Sequence, residues 1–226
     1  MSTPDYSPEE RERLLADIDE IKSRYPAGHE RSALIPMLHL VQSVDGYVSP
    51  AGIALCAEQL GLTRSEVSAV ATFYSQFRRH PAGRYHVGVC TNALCSVMGG
   101  DAVWEAVSAH TGLGAEETSE DGAISLERIE CNAACDYAPV VMVNWEFFDN
   151  QTPQSAVALV DALRRDEPVQ PTRGPATVPT FRENERLLAG FADGRVDEGR
   201  TVGDPSLLGL RLARENGWTV PQEERK

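Results

Sequence analysis

Four of the chain's five cysteines fall between Tyr85 and Asn144, in two short pairs, Cys90-Thr-Asn-Ala-Leu-Cys95 and Cys131-Asn-Ala-Ala-Cys135. Each pair follows a short apolar-rich run, Tyr85-His-Val-Gly-Val89 and Ile124-Ser-Leu-Glu-Arg-Ile129. A third run, Pro139-Val-Val-Met-Val143, comes directly after the second pair. Runs of this length, rich in Val and Ile and bounded by Gly or Asn, read as strands. Both pairs are therefore expected on loops at strand ends, where a scaffold can hold two sets of sulfurs facing one another.

Two pairs of thiolates are what a two-iron cluster requires, since each tetrahedral iron shares two bridging sulfides and takes two cysteine sulfurs. Spacing alone leaves other chemistries open. A four-thiolate zinc site uses similar separations. Two disulfides are open on geometry but call for an oxidising compartment, and no signal-peptide pattern is present. Thioredoxin-type exchange uses Cys-x-x-Cys, which neither pair has. A cysteine nucleophile lacks a matched base.

Upstream, apolar residues recur at helical spacing. Ser7, Pro8 and Glu10 form a capping box for a helix carrying Leu14, Leu15, Ile18, Ile21 and Tyr25, ended by Pro26 and Gly28. A second helix is expected over 32–44, with Leu34, Ile35, Leu38 and Val41 inward and Pro36 in its first turn. Ser49-Pro50 opens a third helix that stops at Gly61, and Thr63 with Glu66 caps a fourth reaching Phe73. Residues 1–80 thus read as a small helical bundle. After Pro81 and Gly83 the pattern switches to strands alternating with helices. A helix over 100–110, an edge strand over 146–148 and a last helix opened by Thr152-Pro153 complete a mixed-sheet unit over 84–165. From 166 to 226, closely spaced prolines and separated apolar patches (Leu187 to Phe191, Leu207 to Leu212) read as a linker and a partner-binding tail. The folded units do not need it on this reading, so a chain ended after Arg165 is expected to stay folded. The fold class is α+β.

The 226 residues are 42% hydrophobic and 24% charged, ordinary for a globular chain, and no apolar run approaches the about 18 residues of a membrane span. Membrane association is expected only through partners. A net charge of −13 argues against nucleic acid, whose phosphates call for clustered Lys and Arg. It suits a low-potential electron carrier, and plain solubility equally well. Cys56, alone on an amphipathic helix, reads as a small buried hydrophobe. His39 and His86 lack a companion at ligand spacing and read as structural, while His29, His80 and His110 sit at element ends. Gly99-Gly100 has no phosphate-loop context, and no Ser-His-Asp or paired-carboxylate arrangement stands out.

The two pairs, followed by Asp136-Tyr-Ala-Pro-Val-Val-Met-Val-Asn144, resemble the thioredoxin-like [2Fe-2S] subunit of NADH-quinone oxidoreductase (respiratory complex I). Val70-Ala-Thr-Phe-Tyr-Ser-Gln-Phe77, Leu34-Ile-Pro-Met-Leu-His-Leu-Val-Gln42 and Gly46-Tyr-Val48 resemble it too, so the likeness runs from about Ser32 to Arg165. It implies a thioredoxin-like α/β domain after the helical bundle, with Cys90, Cys95, Cys131 and Cys135 ligating one [2Fe-2S] cluster. It also implies a flavin-bearing partner that holds FMN and oxidises NADH, within a quinone-reducing, proton-translocating complex on the cytoplasmic side of a membrane. The chain would pass electrons without stand-alone catalysis. The same resemblance extends to subunits of NAD-linked hydrogenases and formate dehydrogenases. A zinc-bound structural adaptor is the alternative from a different class. Two positions need the structure: Ala133, where the family usually carries glycine, and the Ala138–Pro139 bond, whose isomer the sequence leaves undecided.

Overall fold

The computed structural model describes residues 6–219. Four helices come first: α1 (Pro8–Ser23), α2 (Leu34–Asp45), α3 (Pro50–Leu60) and α4 (Arg64–Phe73). The Ser7–Glu10 and Thr63–Glu66 capping boxes form as their sequences predict. Gly61 ends α3 in the left-handed conformation that costs glycine least. Ile18, Ile21, Met37, Leu38, Val41 and Leu55 fill the core between them. One inward assignment does not hold, because Ile35 is 41% exposed. The reason is that α2 is the central helix, buried over nearly all its length from Met37 to Ser43, and Ile35 lies in its outer first turn. Cys56 is fully buried in this core, and burial pushes its thiol up to about 12.

The second unit is a five-stranded sheet in the order β2-β3-β1-β4-β5, built from β1 (Tyr85–Cys90), β2 (Glu117–Thr118), β3 (Ile124–Ile129), β4 (Val141–Val143) and β5 (Glu146–Phe148). β1 is central and wholly buried, which fits a mainly apolar run interrupted by His86. It runs parallel to β3 and antiparallel to β4. Between β1 and β2 lie a short helix, α5 (Ala93–Val97), and α6 (Gly100–Thr111). α7 (Pro153–Arg164) packs beside α6, and the two put Val103, Val107, Leu159, Val160 and Leu163 into the sheet's core. The short helix α5 lies where the sequence suggests only loop. The edge strand β5 lies where it is expected.

Among the described residues beyond 165, the α8 region differs from its reading as a tail. α8 (Phe181–Leu188) lies against α2, with Phe181 1%, Glu185 0% and Ala189 0% exposed. Glu185 Oε2 stands 2.6 Å from His39 Nδ1 inside the bundle. Asn184 donates to the Asn144 carbonyl at 2.7 Å, and the Asn144 amide donates to the Pro179 carbonyl at 2.8 Å. The segment therefore joins the bundle to the sheet. Sequence patterning misses it because its inward positions include Asn184 and Glu185, which look solvent-facing until their distant partners are known. The Thr180–Glu183 capping box is the local sign that a helix begins there. The last helix, α9 (Asp204–Glu215), keeps Leu207, Leu208, Leu210 and Leu212 exposed.

Candidate metal centre

Parallel pairing sets the geometry. Cys90 ends β1 directly beside Ile129 at the end of β3, so the loops that follow both strands leave the same edge of the sheet. Cys90 is anchored by its N–H donating to the Val140 carbonyl at 3.0 Å. Asn92 then caps α5, accepting from the Ala93 N–H at 2.7 Å, and α5 turns Cys95 inward. Cys90 and Cys95 are 2% and 3% exposed, packed with Ala134, Ala138 and Val140. Cys131 and Cys135, on the second loop, are exposed. All five cysteines are free thiols, so the disulfide alternative has no support in the structure.

The sulfurs interact within and across the pairs. Burial, together with the neighbouring Cys90 thiol and the charges of Cys90 and Cys135, pushes Cys95 up to about 11, while a Val140 backbone N–H works the other way. Cys135 is raised by its hydrogen bond to Cys131 and by the Cys131 charge, then by burial and by Cys90. The Cys131 sulfur accepts from the Ala133 N–H at 3.3 Å, and the Cys90 thiol donates to the Glu130 carbonyl at 3.3 Å. The raised Cys95 and Cys135 thiols would become thiolates readily once a metal neutralised them. Among the described residues, no three His, Cys, Asp or Glu side chains converge on a single point. A two-iron cluster does not ask for that, since each iron takes its own pair. The donor set fits such a cluster.

Two backbone details bear on the loops. The Ala138–Pro139 bond, next to the second pair, is cis. Ala133 sits at φ 52°, in the left-handed region where a Cβ is strained. Ala133→Gly is expected to stabilise the chain by about 0.5–1 kcal/mol, the relieved strain being offset partly by the extra unfolded-state freedom of glycine. A urea melt checks this, and an unchanged or lower midpoint counts against strain at Ala133.

Behind the second loop, a cavity of about 710 Å³ is bordered by Cys131, Asn132, Trp145, the buried His86 and the half-buried Arg78 and Glu127. Arg78 is ion-paired with Glu127, and the same carboxylate lies 2.7 Å from His86 Nε2. Burial, then the Arg78 charge, holds His86 well below the usual histidine range. Glu127 acts in the opposite sense, but Arg78 already neutralises it, so burial decides. A histidine kept neutral in the fold still titrates near about 6.5 when unfolded. Its contribution is therefore complete above that pH and is lost as pH falls below it. The urea midpoint is expected to drop between about pH 7 and pH 5, and His86→Gln to make that slope shallower. An unchanged slope would leave His86 out of the acid response.

Several residues here escape sequence reading. Gly100 begins α6 under the first loop, where an added Cβ would lie 2.6 Å from the Cys90 carbonyl oxygen and 2.8 Å from that of Cys95. The Gly99-Gly100 pair is visible in the sequence, but the backbone it must clear is not. Arg78 gives no local sign at all. The expected structural histidines, His39 and His86, are buried with carboxylate partners as read, while His110, at the end of α6, pairs with Asp161 at 2.7 Å.

The fold and site define a mixed-sheet domain with a candidate metal centre at two cysteine loops that leave one edge of a parallel strand pair. The family model for thioredoxin-like [2Fe-2S] ferredoxins matches residues 18–164. The chain is 58% identical over 217 residues to the E subunits of NADH-quinone oxidoreductase from Mycobacterium tuberculosis and Mycobacterium bovis, a match covering 96% of this chain and 85% of theirs. It is 34% identical over 148 residues to NADH-quinone oxidoreductase subunit 2 of Thermus thermophilus, covering 65% of this chain and 82% of that one. Among solved structures, an NAD+-reducing [NiFe]-hydrogenase shares the fold at TM-score 0.54 and 20% identity, over 60% of this chain and 23% of that one. The chain belongs to the thioredoxin-like [2Fe-2S] ferredoxin family.

Proposed function

We propose that this chain is the electron-transfer subunit of an NADH-quinone oxidoreductase, with Cys90, Cys95, Cys131 and Cys135 ligating one [2Fe-2S] cluster. The observation that supports the reading is that two cysteine-bearing loops leave the same sheet edge, in a chain so similar to the mycobacterial NADH-quinone oxidoreductase subunits over nearly its whole length. Such a cluster, when bound, takes up and returns one electron. β1 and β3 hold the two pairs in register, the apolar pocket around Cys90 and Cys95 excludes water from one side, and the Ala133 N–H supplies a donor to the Cys131 sulfur.

NADH gives up two electrons as hydride, so a flavin must stand between it and a one-electron centre. The partner in this proposal is an FMN-bearing, NADH-oxidising subunit. Among the described residues no helix is long and apolar enough to cross a membrane; in this reading the chain is attached through its partners, on the cytoplasmic face. In this reading the chain divides into a helical unit over 1–80, a cluster domain over 84–165 and a C-terminal segment over 166–226, with α8 serving as the joint between the first two. An equivalent role in an NAD-linked hydrogenase has only a likeness of fold behind it.

The test is spectroscopic. The purified chain should be reddish-brown, with visible absorption bleached by dithionite, and untouched by NADH until the flavin-bearing subunit is added. A colourless protein carrying zinc would favour the structural adaptor, and rapid NADH reduction of the lone, flavin-free chain would overturn the subunit reading. Single Cys→Ser changes should divide cleanly. At positions 90, 95, 131 and 135 the cluster is lost or severely weakened, because serine is a poor substitute for a thiolate. Cys56→Ser should keep its colour and lose about 1–2 kcal/mol of stability as a buried polar replacement. Bleaching by Cys56→Ser alone would sink the assignment.

A further inference from the structure

The second cysteine loop is braced from behind by residues that lie beyond the stretch matched by the family model. Arg173 forms an antiparallel bridge with Phe147, adding to the free edge of β5. Its guanidinium stands 4.0 Å from the Phe147 ring centroid and 4.8 Å from that of Tyr137. It donates to the two Asp149 carboxylate oxygens at 2.9 and 3.3 Å and to the Thr201 carbonyl at 3.0 Å. The Arg173 and Asp149 side chains are only 15% and 5% exposed. A little further on, Gly203 lies so close to Tyr137 that an added Cβ would be 2.5 Å from its hydroxyl.

Tyr137 closes the short 3-10 turn that begins at Cys135, and Tyr137 and Phe147 both pack against the apolar cluster containing Cys90 and Cys95. One layer of side chains thus separates a half-buried cation from the sulfurs. Adding an electron to a cluster adds a negative charge, which a nearby cation favours, and a low local dielectric lengthens the reach of that effect. The guanidinium is also planar, so it can stack on two rings while its fork holds Asp149, a combination an ammonium cannot reproduce.

We propose that Arg173 is a positioning residue that clamps the Cys131–Cys135 loop through Tyr137 and raises the reduction potential of the cluster held there. This rests on the four-cysteine assignment. The C-terminal segment is then a brace and a potential-setting device for the cluster, in addition to any contact it makes with partners.

The experiment uses the full chain with its cluster, titrated under anaerobic conditions and followed by EPR, alongside the rate at which a ferrous chelator strips the iron. In Arg173→Gln the reduced-to-oxidised ratio at a fixed solution potential should fall about tenfold, equivalent to about 59 mV for a one-electron couple. Asp149→Asn should move the ratio the opposite way, and the double variant should return towards the native value. Arg173→Lys keeps the charge and should keep the potential, while losing iron severalfold faster because the stack and fork are gone. An unchanged potential in both Arg173→Gln and Asp149→Asn overturns the electrostatic half. Native iron retention in Arg173→Lys overturns the clamp. Should Arg173→Gln fail to fold, Asp149→Asn and Arg173→Lys decide both halves. The unmodified chain separates the two levels of inference, since absence of a cluster there fails the ligand assignment itself.

Discussion

A chain ended at Arg165 is expected to lose the cooperative fold of its helical unit, although all four candidate ligands are upstream of the cut. Ala189 leaves the helical core with α8, and Phe181 leaves the junction with the sheet, where its ring lies against His86 and Trp145; truncating a buried phenylalanine alone typically costs about 3–5 kcal/mol. The His39 imidazole loses its Glu185 partner inside the bundle, and the Asn144 carbonyl and amide lose Asn184 and Pro179. Each buried polar group left unpaired adds about 1–3 kcal/mol. Against a total stability of about 5–15 kcal/mol, these losses leave little. The matched control ends the chain at residue 192, keeping α8 while removing α9, whose apolar residues are exposed and contribute little to the core. Urea melts followed by circular dichroism should show a cooperative transition for the 192-residue form and a weakened or absent one for the 165-residue form. Equal midpoints would show that α8 is dispensable.

Gly100→Ala is expected to damage the metal centre without touching a sulfur. The new methyl group would meet two backbone carbonyls, those of Cys90 and Cys95, at distances that real Cβ atoms do not tolerate. Backbone cannot swing aside as a flexible side chain can, so α6 or the first cysteine loop must shift. Overpacking of this kind costs about 1–3 kcal/mol, and the displaced loop should bind iron poorly. Iron and sulfide per chain after reconstitution are the direct measures. Gly209→Ala is the comparison, because nothing lies within 4 Å of a Cβ there and alanine in an exposed helix gains up to about 1 kcal/mol over glycine. Full iron content in Gly100→Ala would show that the first loop tolerates the shift.

Local grammar carried much of the fold. Ser7, Ser49, Thr63 and Thr152 each cap the helix their sequences announce, because a hydroxyl that satisfies an orphan N–H needs only its near neighbours. The strands around the cysteine pairs are legible for a similar reason, since burial on both faces of β1 favours a mainly apolar run. The pairing of the cysteines is visible in their spacing, and resemblance to a known family supplies the two-iron reading that spacing alone leaves beside zinc and disulfide.

What only the tertiary structure decided is whatever depends on partners distant in sequence. α8 reads as part of a partner-binding tail because Asn184 and Glu185, which face inward, look solvent-facing in sequence, and their burial is tolerable only once Asn144 and His39 are placed beside them. Ile35 reads as core from its period, yet it is exposed because the neighbours of α2 cover other faces. Gly100 is one glycine among 18 until the carbonyls of Cys90 and Cys95 are seen under it. Arg173 is an arginine in a proline-rich stretch until the fold stacks it on Tyr137 and Phe147. Capping, turns and apolar period are short-range and are written in adjacent residues. Buried polar pairs, close backbone approaches and stacked cations are long-range, and they exist only once packing has brought remote segments together.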